Sequence, residues 1–377
     1  MKQQRVIIIG AGLGGLECGY ILAKNGLKVT VLEREAQVGG CLQTFRRGAA
    51  LFDTGFHYVG GLNEGESLHT LFSYFDLMNL PWKQLDKDCF DEVVIGKDTF
   101  RYANGHQAFA ETMGTYFPKE RANLKRYAAF LKQVGDGIFG VFGDGKSRKR
   151  THELLSRPAH AFLSETIGDP MLRKVLSGTS LKMELNAATL PLYTFAQIND
   201  SFIRSAWRLR GGGQQIADKL VEAIQAMGGE VKTRAAVTYI KETDGKAAGV
   251  SINDEDYLET DWIISSTHPA HTVSLVKDSK AMRSIYRNRI TRIENTFGMF
   301  TANIRLKPGL LPYVNKNIYV HRPDADLWRI NTARTESVLV NYSVPEPYSS
   351  TAVNIDLLTP MAWAEVKKWA DFPVGRR

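Results

Sequence analysis

At 377 residues, with 44% hydrophobic and 23% charged side chains, the chain has the composition of an ordinary soluble globular protein and the length of two domains. Its three cysteines (Cys18, Cys41, Cys89) form neither a metal-ligand spacing nor an even disulfide set, so a zinc module and a disulfide scaffold are excluded and a reducing compartment is expected. The net charge of +8 suits an anionic cofactor or membrane surface, but no nucleic-acid module or aromatic-plus-basic spacing accompanies it, so nucleic acid is not an expected partner.

Met1-Lys2-Gln3-Gln4-Arg5 leads straight into the apolar run Val6-Ile7-Ile8-Ile9 with no signal peptide, and no later run approaches the ~20 apolar residues that span a bilayer. A cytoplasmic protein is expected. The β-branched run reads as a strand buried on both faces. A glycine turn follows, in which Gly10, Gly12 and Gly15 fill G-x-G-x-x-G and open a helix. The first glycine allows the turn, the second lets backbone approach a pyrophosphate, and the third lets helix and strand pack closely. The candidate phosphate-binding backbone is therefore Gly10, Ala11, Gly12, Leu13, Gly14 and Gly15. Asn25-Gly26 stops the helix, and the strand Lys28–Leu32 ends at Glu33, 21 residues past Gly12, where an acid accepts hydrogen bonds from the adenosine ribose. Strand, turn, helix and acid together predict a βαβ dinucleotide site.

Next come Arg34-Glu35-Ala36-Gln37-Val38-Gly39-Gly40-Cys41-Leu42-Gln43-Thr44 and Phe52-Asp53-Thr54-Gly55-Phe56-His57-Tyr58-Val59-Gly60-Gly61. These stretches resemble the two-domain FAD-dependent flavoproteins, and their Gly-Gly-Cys-x-x-Thr-Phe and Phe-Asp-Thr-Gly-x-His-Tyr-x-Gly wording is similar to the retinol saturase branch of the phytoene desaturase and carotenoid isomerase group. Many amine oxidases carry Arg or Lys where this chain has Cys41. The resemblance implies an α/β fold, with a Rossmann-like FAD/NAD(P)-binding domain and an inserted α+β substrate domain. It implies FAD as cofactor, wrapped by Glu33, Arg34, Gly39, Gly40, Cys41, Thr44, Gly55 and His57, and leaves NAD(P) or a quinone as redox partner.

From Glu66 the pattern changes. Leu68, Leu71, Phe72 and Phe75 recur at helical spacing, and residues 93–102 read as a hairpin about Gly96-Lys97-Asp98. A helical region runs from 106 to 204, broken at Pro118, at Gly135 to Gly145 and at Pro170. Within it, Leu131, Val134, Ile138, Phe139, Val141 and Phe142 are flanked by Lys125, Arg126 and Lys132 and by Lys146, Arg148, Lys149 and Arg150. Residues 125–150 are therefore read first as a core helix with a solvated basic turn, since the glycines between 135 and 143 weaken a membrane helix, with a peripheral membrane contact through which a lipophilic substrate enters as the alternative.

The chain returns at Leu209-Arg210-Gly211-Gly212-Gly213 to a helix with Ile216, Leu220, Val221, Ile224 and Met227 on one face, stopped by Gly228-Gly229. Val231, Thr233, Ala235, Val237 and Tyr239 alternate as a strand. The resemblance makes this the second FAD segment, with Val237 against the adenine. Asp261 to Pro269 looks like the family's strand passing the cofactor, where Ser265, Ser266 and Thr267 allow close approach; a plain strand end with Pro269 opening a helix is the alternative. Strands are expected at 296–306, 317–321, 337–344 and 352–357. The domain reading is 1–70 and 205–275 for the FAD-binding domain, and 71–204 and 276–377 for the substrate domain. Family members continue to a last strand–loop–helix against the flavin ring; residues 270–377 contain no Gly-rich turn to match it, so this segment is expected to be missing here.

In flavoenzymes of this kind the flavin carries the hydride while the protein positions the substrate bond, so one acid/base and an apolar tunnel suffice. His57 is the candidate acid/base by position, with a structural hydrogen-bonding role as the alternative; His268 and Glu184 are weaker candidates. No metal cluster, paired-carboxylate signature or Ser/His/Asp arrangement is present. The leading expectation is an FAD-dependent oxidoreductase acting on a carbon–carbon bond of a lipophilic isoprenoid. The alternatives are an amine-oxidase-type flavoenzyme and a non-catalytic isoprenoid-binding protein, as the Rab GDP-dissociation inhibitors are, or an inactive fragment.

Overall fold

A computed structural model describes residues 3–138, 143–277, 279, 281–329, 334–345 and 349–372. They form two compact units: Met1–Phe56, Phe72–Leu80 and Gly211–Asn295 make the first, and His57–Leu71, Pro81–Arg210 and Thr296–Arg377 the second.

The first unit is built on a four-stranded parallel sheet in the order Glu230–Lys232, Lys28–Leu32, Arg5–Ile9, Trp262–Ser265. Val6, Ile7, Ile8 and Ile9 are all buried, as a strand covered on both faces requires. The helices Leu13–Lys24 and Gln214–Ala226 pack together on the sheet. Gly19 makes this possible, since a Cβ there would sit 3.0 Å from Ile224 Cδ1 and 3.2 Å from Val31 Cγ2. The segment Phe72–Leu80 joins this unit through aromatic edges, Tyr20 meeting Phe75 at 5.1 Å and Tyr74 at 5.9 Å. An antiparallel sheet of Val237–Thr243, Lys246–Ile252 and Asp256–Glu259 completes the unit, and Val237, Ile240, Val250 and Ile252 share a core with Ile7, Ile9 and Leu32.

The second unit carries a six-stranded sheet in the order Gly298–Arg305, Asn354–Met361, Ser337–Tyr342, Asn317–His321, Asp91–Ile95, Asp98–Tyr102. All neighbours are antiparallel except Asn317–His321 with Asp91–Ile95. The helices His106–Tyr116, Arg121–Asp136, Ala159–Thr166, Pro170–Leu176 and Leu192–Arg204 share its core, centred on Phe90, Val93, Phe109, Tyr127, Leu131 and Phe195. A small sheet of Val59–Gly60, Ala206–Leu209 and Trp82–Gln84 lies against the last helix, where a Cβ on Gly60 would fall 2.4 Å from the Ser201 carbonyl carbon.

Two sequence expectations take a different form in the structure. The alternating run Val231–Tyr239 is two strands in two sheets, because Arg234 adopts φ +54° and turns the chain between them. Residues 57–71 belong to the second unit through Val59–Gly60 pairing with Ala206–Trp207, and 276–295 to the first, where Arg287 Nη1 donates to Val273 O at 3.3 Å. Leu131 and Val134 are in the core at 0% and 3% exposure, as the core-helix reading expects, and Phe130 packs on Phe162 at 4.4 Å. Phe139, Val141 and Phe142 of that stretch lie outside the described residues. Among the described residues no helix is long and apolar enough to cross a membrane.

Candidate functional site

In the first unit the glycine turn is shaped from both sides. Gly10 takes φ +98° and donates its N–H to Leu32 O at 2.8 Å. A Cβ on Gly15 would lie 2.0 Å from Gly10 O, so no other residue fits there. A Cβ on Gly12, by contrast, would meet no protein atom within 4 Å. Gly39, at φ +112°, donates to Ala11 O at 2.8 Å and sets Gly40 opposite Gly12. The helix Leu13–Lys24 starts with no capping side chain and no acid in its first turn, leaving its first N–H groups and positive dipole end for an outside anion.

Glu33, half-buried at the end of its strand, accepts from Ala11 N–H and from Glu35 N–H, both at 2.9 Å. Glu33, expected to meet the ribose, thus also pins the glycine turn. Arg34 is exposed and pairs with Glu35 at 3.0 Å. Cys41 is exposed, Thr44 pairs with Asp53 in a hairpin, and Gly55 lies under Cys41, whose O would be 3.3 Å from an added Cβ. Asp53 Oδ1 accepts from Gly213 N–H at 2.7 Å and ties this segment to the helix Gln214–Ala226.

Val237 is buried just past the strand end, where Ala235 N–H donates to Glu33 O at 2.8 Å. Ser265 Oγ joins Thr272 Oγ1 at 2.7 Å and Thr267 Oγ1 at 3.0 Å, while Ser266 N–H donates to Ile9 O at 2.9 Å. Gly10 through Gly15, Glu33, Val237, Ser265 and Ser266 thus follow the carboxyl ends of the parallel strands, the edge at which open α/β sheets bind ligands.

His57, expected beside the cofactor, is placed in the second unit. Its side chain is 9% exposed, and Nδ1 stands 4.0 Å from Asp356 Oδ2, beyond hydrogen-bond reach. Among the described residues neither ring nitrogen has a hydrogen-bond partner. Burial, reinforced by the Arg208 guanidinium, lowers its pKa to about 4, so the ring is neutral at pH 7.

Asp356 belongs to a buried polar row that the sequence reading missed. Asn303, Asp356 and Asn341 face each other across three strands, and Asn317 and Asp91 across two more. Asn303 Nδ2 donates to Asp356 Oδ1 at 2.7 Å and Asn341 Nδ2 to Oδ2 at 3.4 Å. Arg208 Nη2 bridges Asn341 Oδ1, at 2.9 Å, and Asn317 Oδ1. Asn317 Nδ2 donates to Asp91 Oδ1 at 2.8 Å, and Asp91 Oδ2 accepts from Lys182 Nζ at 2.8 Å and from Tyr58 OH at 3.1 Å. Lys182 also sits 4.0 Å from the centre of the Phe202 ring. Burial lowers the Lys182 pKa against the pull of Asp91 and raises that of Asp356. The available signal was Asn and Asp recurring within otherwise apolar strands, where they are depleted.

The other two candidates have local roles. His268 caps the helix Pro269–Leu275, Nδ1 accepting from Ala270 N–H, with Nε2 and Asn295 Oδ1 2.9 Å apart; Pro269 opens that helix. Glu184 lies half-buried in a loop after the turn that carries Lys182.

A glycine cradle at the carboxyl edge of a parallel sheet, in a chain whose segments alternate between that unit and an α+β unit, defines the class: a two-unit dinucleotide-binding α/β protein. The sequence profile described as "Flavin containing amine oxidoreductase" matches residues 13–291, and the chain belongs to that family. It is 29% identical over 310 residues to an all-trans-retinol 13,14-reductase of Danio rerio, covering 74% of this chain and 50% of the relative. It is 24% identical over 289 residues to a lycopene-forming phytoene desaturase of a Paracoccus species, covering 70% of this chain and 55% of the relative. The chain thus spans about half the length of each of these two relatives. Among solved structures, an oxidoreductase from Methanosarcina mazei superposes with a TM-score of 0.68 at 19% identity, over 97% of this chain and 81% of that one. These similarities bear out the resemblance to the retinol saturase branch.

Proposed function

We propose that this chain is an FAD-dependent oxidoreductase that adds or removes hydrogen across a C=C bond of a lipophilic isoprenoid of retinoid or carotenoid type. The observation that carries this is the open position in front of Gly12, faced by Gly40 and by an uncapped helix N-terminus. It has the donor set for a pyrophosphate, and the relatives' names supply the substrate class.

The backbone of Gly12, Leu13, Gly14 and Gly15 would hold the pyrophosphate. Glu33, whose two oxygens each accept one N–H, retains lone pairs for the ribose hydroxyls. Val237 backbone would meet the adenine, and Gly39, Gly40, Cys41, Thr44 and Gly55 would line the path towards the ring system. When bound, FAD supplies hydride transfer at N5, and NAD(P) or a quinone is the outside redox partner. The matching proton would come from water, since His57, with its pKa lowered to about 4, holds no ionisable proton at neutral pH.

The test is an anaerobic one: reduced, FAD-loaded protein is mixed with all-trans-retinol or with a carotene. The return of oxidised-flavin absorbance, with a dihydro product in the extract, supports the reading. Peroxide formation from primary amines, with no reaction of either polyene, would replace it with the amine-oxidase reading.

A further inference from the structure

We infer that the first unit holds a second ligand site, apart from the glycine cradle, for an amphiphile with one apolar chain and an anionic head, of the fatty-acid kind. The inference is independent of the flavin and isoprenoid readings.

The site is a recess of about 570 Å³, inside the range of about 300–1,000 Å³ that small-molecule pockets occupy. Ile240 and Ala247 line it from the antiparallel sheet, and Val276, Met282, Ile285 and Tyr286 from the segment that follows the helix Pro269–Leu275. Ile240 belongs to the core of Ile7 and Ile9, so the floor of the recess continues that core. At the other extreme Ile285 is 77% and Tyr286 50% exposed, and the helix Ser284–Thr291 has no buried residue. Apolar surface left uncovered in this way marks a binding site. Hydrogen bonds hold the recess in shape. Arg287 Nη1 donates to Val273 O at 3.3 Å and to Val276 O, and its Nε donates to Met282 O at 3.4 Å. Ser279 Oγ donates to Glu242 and accepts from Met282 N–H at 3.1 Å.

Charge narrows the occupant. Residues 281–293 contain four arginines and no acid. Arg287 is taken by backbone carbonyls, whereas Arg283 lines the recess and is exposed. Arg289 and Arg292 are exposed as well and recur with Ile285 at helical spacing, so cation and apolar side chain share one face at the mouth. A guanidinium group offers paired N–H donors that match a carboxylate or a phosphate. Glu242 also lines the recess, but its carboxylate already accepts from Ser279 Oγ. An apolar floor and an arginine rim complement a chain that ends in an anion. The apolar side chains line a concavity, which suits one chain taken up singly over the broad flat contact of a bilayer or a second copy.

The experiment is titration of the full chain with monomeric cis-parinarate, a fluorescent fatty acid, followed by displacement with dodecanoate, dodecanol and dodecyltrimethylammonium. Dodecanoate is expected to displace the probe about tenfold more tightly than dodecanol, the gain of one charge-assisted hydrogen bond, with the cation weakest. Ala247→Phe, at an exposed strand position, should fill the recess and weaken cis-parinarate binding at least tenfold. Arg283→Gln combined with Arg289→Gln should bring dodecanoate to the level of dodecanol and leave dodecanol unchanged. Thermal midpoints show that each variant is folded. No binding of cis-parinarate, a signal that survives Ala247→Phe, or equal displacement by the anion and the alcohol would overturn the inference. So would pelleting with phosphatidylserine vesicles, or self-association, in place of monomer binding, since either would make this face a membrane or subunit contact. None of these outcomes bears on FAD uptake by the glycine cradle, so the two readings fail separately.

Discussion

Gly12 and Gly15 stand three residues apart in one turn but answer to different constraints. Gly15 is required by the protein, since a Cβ would lie 2.0 Å from Gly10 O; Gly12 faces open space. Gly15→Ala should therefore prevent the first unit from folding. Gly12→Ala should lower the thermal midpoint of the ligand-free chain by only a few degrees, because Ala is a poorer N-cap than Gly but meets no clash there, and weaken FAD binding at least tenfold. Equal loss of stability in both variants would make Gly12 structural. Lys182 and Asp91 show the same logic for charge. Each is buried, and removing one leaves the other uncompensated. Lys182→Met should cost about 3 kcal/mol in denaturant unfolding, and adding Asp91→Asn should cost clearly less than the sum of the singles. Strict additivity would mean that the pair is not coupled.

At the scale of elements, the turn at Arg234 separates the parallel sheet from the antiparallel one. A non-glycine residue at φ +54° is strained, and the Arg234 side chain is exposed. Arg234→Gly should stabilise the chain by about 0.5–1 kcal/mol, seen as a raised midpoint; a lowered one would mean that the side chain contributes there. Local pattern made much of the fold legible: the strand Val6–Ile9, the glycine turn, the Asn25-Gly26 stop, the hairpin at 96–98 and the helix breaks at Pro118 and Pro170 all follow from spacing within a few residues. The split at Arg234 was not legible, because period-two alternation continues through a turn when the flanking residues alternate in both strands. The polar row was missed for a different reason. Asn303, Asn317, Asn341 and Asp356 come from four strands, and only their pairing register shows that they meet. The membership of 57–71 is likewise set by pairing with residue 206, far along the chain.

For the whole molecule, two buried neutral histidines set an acid limit. His57 and His321 both have pKa values lowered to about 4, and His321 is held between Gly178 O and Ser337 Oγ. The unfolded chain binds their protons from about pH 6.5 downwards and the folded chain only near pH 4. Their stabilisation is therefore complete above about 6.5 and lost as the pH falls to about 4, up to about 3 kcal/mol for each. The unfolding midpoint should fall across that window, and His321→Gln should flatten the fall. A midpoint independent of pH between 6.5 and 4 would contradict the burial of both rings.

The central claim is that the glycine cradle of this chain holds FAD. It is tested most directly by the absorbance spectrum of the purified 377-residue protein, with the cofactor identified after denaturation and added FAD titrated into any colourless fraction. The account predicts oxidised-flavin bands with FAD released on denaturation, or uptake of one equivalent of FAD by the colourless protein. A colourless protein that takes up no FAD would contradict it.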